Sequence, residues 1–239
     1  MNSEIVIHQH LGLGDHFIVN GIVNVLSMRG NIGKKSLDKI YLGCKKQNYE
    51  TVNFMYCENK KVEVFVIEAD NVDDEKKYVK EFADKKKIKL LTIGHENHTS
   101  IDWYVSFYDQ LKLSYYHRYL NFILPLSKPD NLLDVPTNKF ILLHDEVSDS
   151  TINSKVKINS DLEVIKVKKQ KGNNMFSYLN LILNATEIHV VPSSFFCFVD
   201  SIFNRTNGKL FFHDCRKNPS PVKPNNEYNG KVWNIVNYD

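Results

Sequence analysis

The stretch that decides the fold runs from Glu4 to Leu26 and has the sequence EIVIHQHLGLGDHFIVNGIVNVL. It begins with an apolar run of the kind that forms a buried β-strand. After a glycine-containing turn, apolar residues recur at helical spacing, which predicts a helix from Asp15 to about Arg29: Phe17, Ile18, Ile22, Val23, Val25 and Leu26. A strand, a tight turn and a helix in this order are the opening unit of a parallel α/β sheet.

The same alternation continues along the chain. It predicts strands at 39–42, 62–67 and 90–93 with helices at 49–56 and 75–87, and then restarts with strands at 139–144, 162–167, 187–191 and 209–212 and helices at 175–184 and 193–203. The polar segment 126–136 is flanked by prolines and is the best candidate for a linker. We therefore predict an α/β protein with two Rossmann-like parallel-sheet halves, 1–125 and 137–239, that face a central cleft.

Charge gives no sign of a nucleic-acid partner. The 239 residues carry a net charge of +3, which is too small to indicate such a partner by itself. One lysine-rich stretch alternates with apolar residues at strand spacing, so we expect the solvated side of two strands there: Lys155, Lys157, Lys166, Lys168, Lys169 and Lys171.

Cysteine usage and the N-terminus indicate a cellular compartment. The four cysteines form no C-x-x-C pair, which favours reduced thiols in a reducing compartment. The first residues lack the basic and apolar regions of a signal peptide, and no run approaches 18 uninterrupted apolar residues. We expect a cytoplasmic protein without a transmembrane segment; nothing in the sequence indicates its oligomeric state.

The turn after the first strand is the first candidate site. Gly12 and Gly14 allow a ligand to approach the backbone closely, and the first turn of the helix offers free N–H groups to an anion. His10 and His16 are candidate substrate ligands beside Asp15. The alternative is structural, with glycines for a tight turn and Asp15 as an N-cap. The dinucleotide fingerprint G-x-G-x-x-G is excluded because Phe17 occupies its third glycine position.

A metal site at this turn is disfavoured. His8 and His10 would share one face of a strand, but no cysteine or carboxylate set with zinc spacing follows them. We therefore expect histidines that form hydrogen bonds, and no metal.

The second candidate site follows two strands of the C-terminal half. His144 and Asp145 end one apolar strand, and Pro192 with Ser193 opens a helix after the next, so that Ser193, Ser194 and Phe195 would lie beside free N–H groups that suit a diphosphate. The alternatives are a solvated loop at 144–146 and a plain serine N-cap.

The order of these motifs resembles that of glycosyltransferases of the GT-B architecture, in particular the heptosyltransferase-like and fucosyltransferase-like groups. The similarity is carried by GLGDH after the first strand, His-Asp after the restart strand, and EIHVVPSSFFCFVD around the last helix. It implies a sugar nucleotide as donor substrate, a glycan or other hydroxyl as acceptor, and Asp15 as general base. The N-terminal turn would face the acceptor, and the Ser-Ser-Phe turn would contact the donor diphosphate.

This chain departs from those families in three respects. It is much shorter than most members, Pro192-Ser193 stands where heptosyltransferases carry Asp-Ser, and no acidic residue is placed to hold a ribose. The absence of a D-x-D motif disfavours the metal-dependent transferases, so a metal-independent reaction without a cofactor is expected. A non-catalytic sugar-binding or nucleotide-binding protein of the same fold remains the alternative.

Overall fold

The computed structural model describes residues 3–29, 37–69, 71–94, 103–146, 156–168, 174–215 and 223–238. The chain divides into two compact units, Met1–Lys128 and Pro129–Asp239. Each unit contains one sheet whose strands are all parallel, which confirms the predicted α/β class with two Rossmann-like halves. The cleft stays a prediction, and Lys155, Lys169 and Lys171 lie outside the described residues. None of the helices in the described ranges has the length and apolarity needed to cross a membrane.

Unit 1 is a four-stranded sheet with the order β3-β2-β1-β4. Its strands are β1 Glu4–His8, β2 Lys39–Lys45, β3 Val62–Ile67 and β4 Lys89–Thr92, and its helices are α1 Leu13–Arg29, α2 Tyr49–Met55, α3 Val72–Lys86, α4 Trp103–Asp109 and α5 His117–Leu120. After β3 the chain returns to the other side of β1. The strand order therefore reverses between β1 and β4, and the carboxyl ends beside such a reversal are where open α/β sheets bind ligands.

Local signals explain where α3 begins and ends. The side chain of Asn71 accepts hydrogen bonds from the backbone N–H groups of Asp73 and Asp74, so the helix starts at Val72, three residues before the predicted position. Lys87 adopts a left-handed conformation and ends it.

Helix α1 is enclosed on all sides, because every residue from His16 to Ser27 is buried. Its non-sheet face carries a polar stripe, which we define as His16, Asn20, Asn24 and Ser27. Asn24 donates to the side chain of Asn20 (2.8 Å) and to the carbonyl of Asn121 (3.0 Å), and Ser27 donates to the carbonyl of Asn24 (2.9 Å). These bonds satisfy Asn24 and Ser27, whereas Nε2 of His16 and Nδ2 of Asn20 are buried without a hydrogen-bond partner among the described residues.

Unit 2 is a five-stranded sheet with the order β6-β5-β7-β8-β9. Its strands are β5 Phe140–His144, β6 Glu163–Lys166, β7 Glu187–Val190, β8 Lys209–Asp214 and β9 Trp233–Asn237; α6 Leu179–Asn184 follows a 3₁₀ turn, and α7 Ser194–Ser201 follows β7. Here the strand order reverses between β5 and β7. The two halves thus repeat one topological feature, a reversal beside the first strand of each sheet.

A chain of hydrogen bonds links three strands on one face of the unit 2 sheet. The distances are 2.7 Å from the Tyr238 hydroxyl to Nδ1 of His213, 2.8 Å from Nε2 of His213 to Nδ1 of His189, and 3.3 Å from Nε2 of His189 to a carboxylate oxygen of Glu187. Because an ionised carboxylate only accepts, one assignment satisfies every bond with both rings neutral: Tyr238 donates to His213, which donates to His189, which donates to Glu187. We call these four residues the histidine chain.

The histidine chain should make unit 2 labile to acid. Burial lowers the pKa of His213 to about 4, and it also lowers the pKa of His189. Because an unfolded histidine titrates near pH 6.5, this stability is present above about pH 6.5 and is lost as the pH falls towards 4. We expect unit 2 to lose about 2 kcal/mol of unfolding free energy from this source between pH 7.5 and 5.

Urea unfolding followed by Trp233 fluorescence in a Trp103→Phe background would measure this loss, since the chain has only these two tryptophans. The control is His213→Gln, whose amide can still donate to His189 and accept from Tyr238 but does not titrate. An equal pH dependence in the control would contradict the assignment.

Candidate functional site

The turn after β1 lies at the reversal of the unit 1 sheet. Nε2 of His10 donates to the carbonyl of Gly94, which follows β4, at 2.8 Å. The His10 ring packs against Trp103 and Phe107, with centroids 5.0 and 6.2 Å away. The residues that follow β1 and β4 are therefore joined directly, and His10 is held in one orientation beside the glycine turn.

Asp15 is the third residue of α1. The carbonyl of Gly12 accepts from the backbone N–H groups of Asp15 (3.1 Å) and His16 (3.3 Å), so Gly12 occupies the cap position. The structural alternative, in which Asp15 is the N-cap, is therefore wrong. Asp15 as a whole is partly buried, but its Oδ1 atom is fully covered and has no hydrogen-bond partner among the described residues.

Burial raises the pKa of Asp15 to about 7. The N-terminus of α1 favours the charged carboxylate, and the backbone hydrogen bond at Asp15 lowers the pKa as well, but desolvation is the larger effect. A carboxyl group whose pKa lies near neutral pH is half ionised there and can accept a proton from a substrate.

His16 lies inside unit 1 rather than on its surface. It is fully buried, and its Nδ1 accepts from the side-chain amide of Gln9 at 2.9 Å. Burial lowers the pKa of His16 to about 3, so the ring is neutral. Gln9 was not among the predicted site residues. Its place between His8 and His10 is the one sequence signal for it, because alternate residues of an extended chain point to opposite faces.

Gly14 is the second residue of α1 and directly precedes Asp15.

The second site lies at the reversal of the unit 2 sheet, where the ends of β5 and β7 meet. Ser193 caps α7, because its Oγ accepts from the backbone N–H of Phe196 at 3.2 Å. The same Oγ lies 3.3 Å from Nδ1 of His144. The hydroxyl accepts from Phe196 and has both a proton and a second lone pair to offer Nδ1 of His144, so Ser193 joins the start of α7 to the end of β5.

Phe195 is a packing partner of His144 at this site. It is fully buried, and the ring of His144 stacks on it with centroids 5.0 Å apart and planes 16° apart. Ser194, the first residue of α7, is partly exposed beside it. The structure thus brings His144, Ser193, Ser194 and Phe195 together, with Phe195 beneath the surface.

Lys166 is exposed on β6, as predicted for the solvated side of a strand, and it forms an ion pair with Asp145. Its ammonium lies 2.9 Å from a carboxylate oxygen of Asp145 and is about half exposed. Lys166 ends β6 and pairs with Leu143 of β5, so strand pairing carries its charge to the carboxyl end of the sheet. This lysine supplies a cation close to Asp145, the residue that follows β5.

Comparisons of the chain with protein-family models, with curated proteins and with solved structures give no match. Within the described ranges, no three or more His, Cys, Asp or Glu side chains cluster so as to hold a metal ion.

Proposed function

We propose that this protein transfers a glycosyl group from a nucleotide-diphosphate sugar to an acceptor hydroxyl, with Asp15 as the general base. One observation carries the proposal: a carboxyl group whose pKa is raised to about 7 lies in the first turn of a helix at the reversal point of a parallel sheet. A carboxyl group that is about half ionised at neutral pH suits a general base. The order of motifs that resembles GT-B glycosyltransferases supports the choice of reaction.

The acceptor oxygen forms a bond to the anomeric carbon of the donor while the bond from that carbon to the diphosphate breaks. Asp15 takes the acceptor proton, and the nucleoside diphosphate leaves with the electron pair. Negative charge grows on the diphosphate, so groups that favour an anion lower the barrier.

Unit 2 contains groups suited to the diphosphate. The first N–H groups of α7 and its positive dipole end favour an anion. His144 lies beside this helix start, and the ammonium of Lys166 is paired with Asp145 at the neighbouring strand end. The N-terminus of α7 supplies positive potential without a metal ion in the proposed step.

A panel of nucleotide-diphosphate sugars tests the proposal. Each is incubated with the protein, melting curves report binding, and mass spectrometry reports release of the nucleoside diphosphate with and without candidate acceptors. Release or transfer that depends on Asp15 supports the proposal. A sugar nucleotide that raises the melting temperature without being consumed would instead support the non-catalytic binding protein.

Ser194→Glu should weaken nucleotide binding by about tenfold or more, which corresponds to at least about 1.4 kcal/mol. The new carboxylate would stand at the first position of α7 and repel the diphosphate. An acidic residue suits a helix N-terminus, so the fold should not be destabilised. Calorimetry with the nucleoside diphosphate identified in the panel measures the effect. Ser194→Gln is the matched control for bulk, and equal affinities of the Glu and Gln variants would count against the assignment.

A further inference from the structure

Gly12 is an exposed residue with ordinary backbone geometry. The described glycines with positive φ are Gly94 and Gly230, so Gly12 adopts a conformation that any residue can take. Conformational freedom therefore does not explain a glycine at this position. Glycine is a favoured N-cap residue, and in addition a Cβ atom built on Gly12 would lie 2.5 Å from Oδ2 of Asp15.

The two oxygens of the Asp15 carboxylate have different surroundings. Oδ1 is fully covered and has no partner among the described residues, whereas Oδ2 lies over the bare, exposed Gly12. Any side chain at position 12 would contact Oδ2 and force the carboxylate to move. Asp15 thus occupies the space that a side chain of residue 12 would fill.

We propose that Gly12 is a positioning residue for Asp15. Because Gly12 has no side chain, the Asp15 carboxylate can lie against the start of α1, with Oδ2 as the oxygen that an acceptor hydroxyl reaches. The acceptor hydroxyl in this inference rests on the proposed function. The effect of Gly12 on the position of the Asp15 carboxylate does not depend on it. The sequence predicts that Gly12 lets a ligand approach the backbone. In the structure the space beside Gly12 is occupied by the carboxylate of Asp15.

Gly12→Ala should displace the carboxylate towards water. In the displaced position desolvation is smaller, so the pKa of Asp15 should fall by one unit or more towards its ordinary value. The rate constant kcat should fall at least tenfold, while the affinity for the donor nucleotide should not change, because the donor groups belong to unit 2.

Carboxyl ¹³C NMR of aspartate-labelled protein measures the titration, with the Asp15 signal assigned by its absence from Asp15→Asn. Gly43→Ala is the control in the same unit, because its Cβ would also meet a side chain, that of Ile67. The control should leave the Asp15 titration unchanged. An Asp15 that titrates alike in Gly12→Ala and in the wild type would overturn the inference.

A double variant keeps the test decisive if Gly12→Ala folds poorly. In an Asp15→Ala background the clash partner is gone, so adding Gly12→Ala should lower the melting temperature only by the few degrees that replacing glycine by alanine at an N-cap costs. A further large loss of stability would show that Gly12 acts on something other than Asp15. The NMR result does not depend on any sugar nucleotide, so failure of the proposed reaction and failure of this inference are separable.

Discussion

Asp15→Asn should slow glycosyl transfer by about 100-fold or more and at the same time raise the melting temperature of the protein. The amide cannot accept the acceptor proton, and loss of a general base commonly costs this much in rate. The stability gain follows from the raised pKa of Asp15. A carboxyl group whose pKa is higher in the folded state lowers stability once it ionises, and asparagine removes that charge.

The sign and the pH range follow from the same value. An unfolded aspartate titrates near pH 3.9, and folded Asp15 titrates near pH 7. The penalty is therefore absent below about pH 4, grows as the pH rises, and is complete above about pH 7. The rise of the pKa of Asp15 to about 7 corresponds to about 4 kcal/mol. Because Asp15 is only partly buried, we expect a smaller gain of about 1–3 kcal/mol for Asp15→Asn at pH 8, which amounts to several degrees in Tm.

The measurement pairs melting curves at pH 8 and pH 4 with transfer assays on the same proteins. Wild-type kcat should rise with pH through about 7, since the base must be ionised. A variant that keeps full activity, or one whose stability gain does not depend on pH, would contradict the role assigned to Asp15.

Gly21→Ala should destabilise unit 1 by about 3 kcal/mol, with Tm falling by about 10 °C. Gly21 lies in α1, and a Cβ there would penetrate the backbone carbonyl of His117, at the start of α5, and contact the Tyr108 hydroxyl. Alanine gains about 1 kcal/mol in helix propensity over glycine. The clash outweighs this gain because a backbone carbonyl in a packed helix cannot rotate away.

Gly43→Ala is again the control, since its new methyl would meet the terminal methyl of Ile67, which has rotational freedom. We expect a smaller loss, below about 1.5 kcal/mol. Urea denaturation followed by Trp103 fluorescence in a Trp233→Phe background reports unit 1. If Gly21→Ala were as stable as Gly43→Ala, the close approach of α1 and α5 would be wrong.

The eight strands β1 to β8 could be predicted from sequence because buried parallel strands are short apolar runs between turn residues. Strand β9 was not predicted, because its sequence WNIVN mixes polar and apolar residues. On an edge strand the exposed positions need not be apolar. Helices α4 and α5 escaped because the aromatic run 103–119 is buried from several directions and shows no single periodicity.

The sequence predicts which residues belong to the candidate sites but not which contacts they form. Residues that follow strands can be predicted, because the carboxyl ends of parallel strands share one edge of a sheet. Which strands are neighbours cannot be predicted from the order of elements, so the bond from His10 to Gly94 and the approach of Lys166 to Asp145 could not be foreseen. The burial of Oδ1 of Asp15, which raises its pKa, depends on tertiary packing and has no local signal.

The polar stripe of α1 has a consequence for how this sequence can evolve. Asn59 donates to both Asn24 and Ser27, and Asn121 accepts from Asn24, so these residues share partners within one enclosed network. Replacing one member alone leaves a buried polar group without its bond, which costs about 1–3 kcal/mol. Single steps away from this network are therefore selected against, and relatives that lost it should have exchanged several members together for apolar residues.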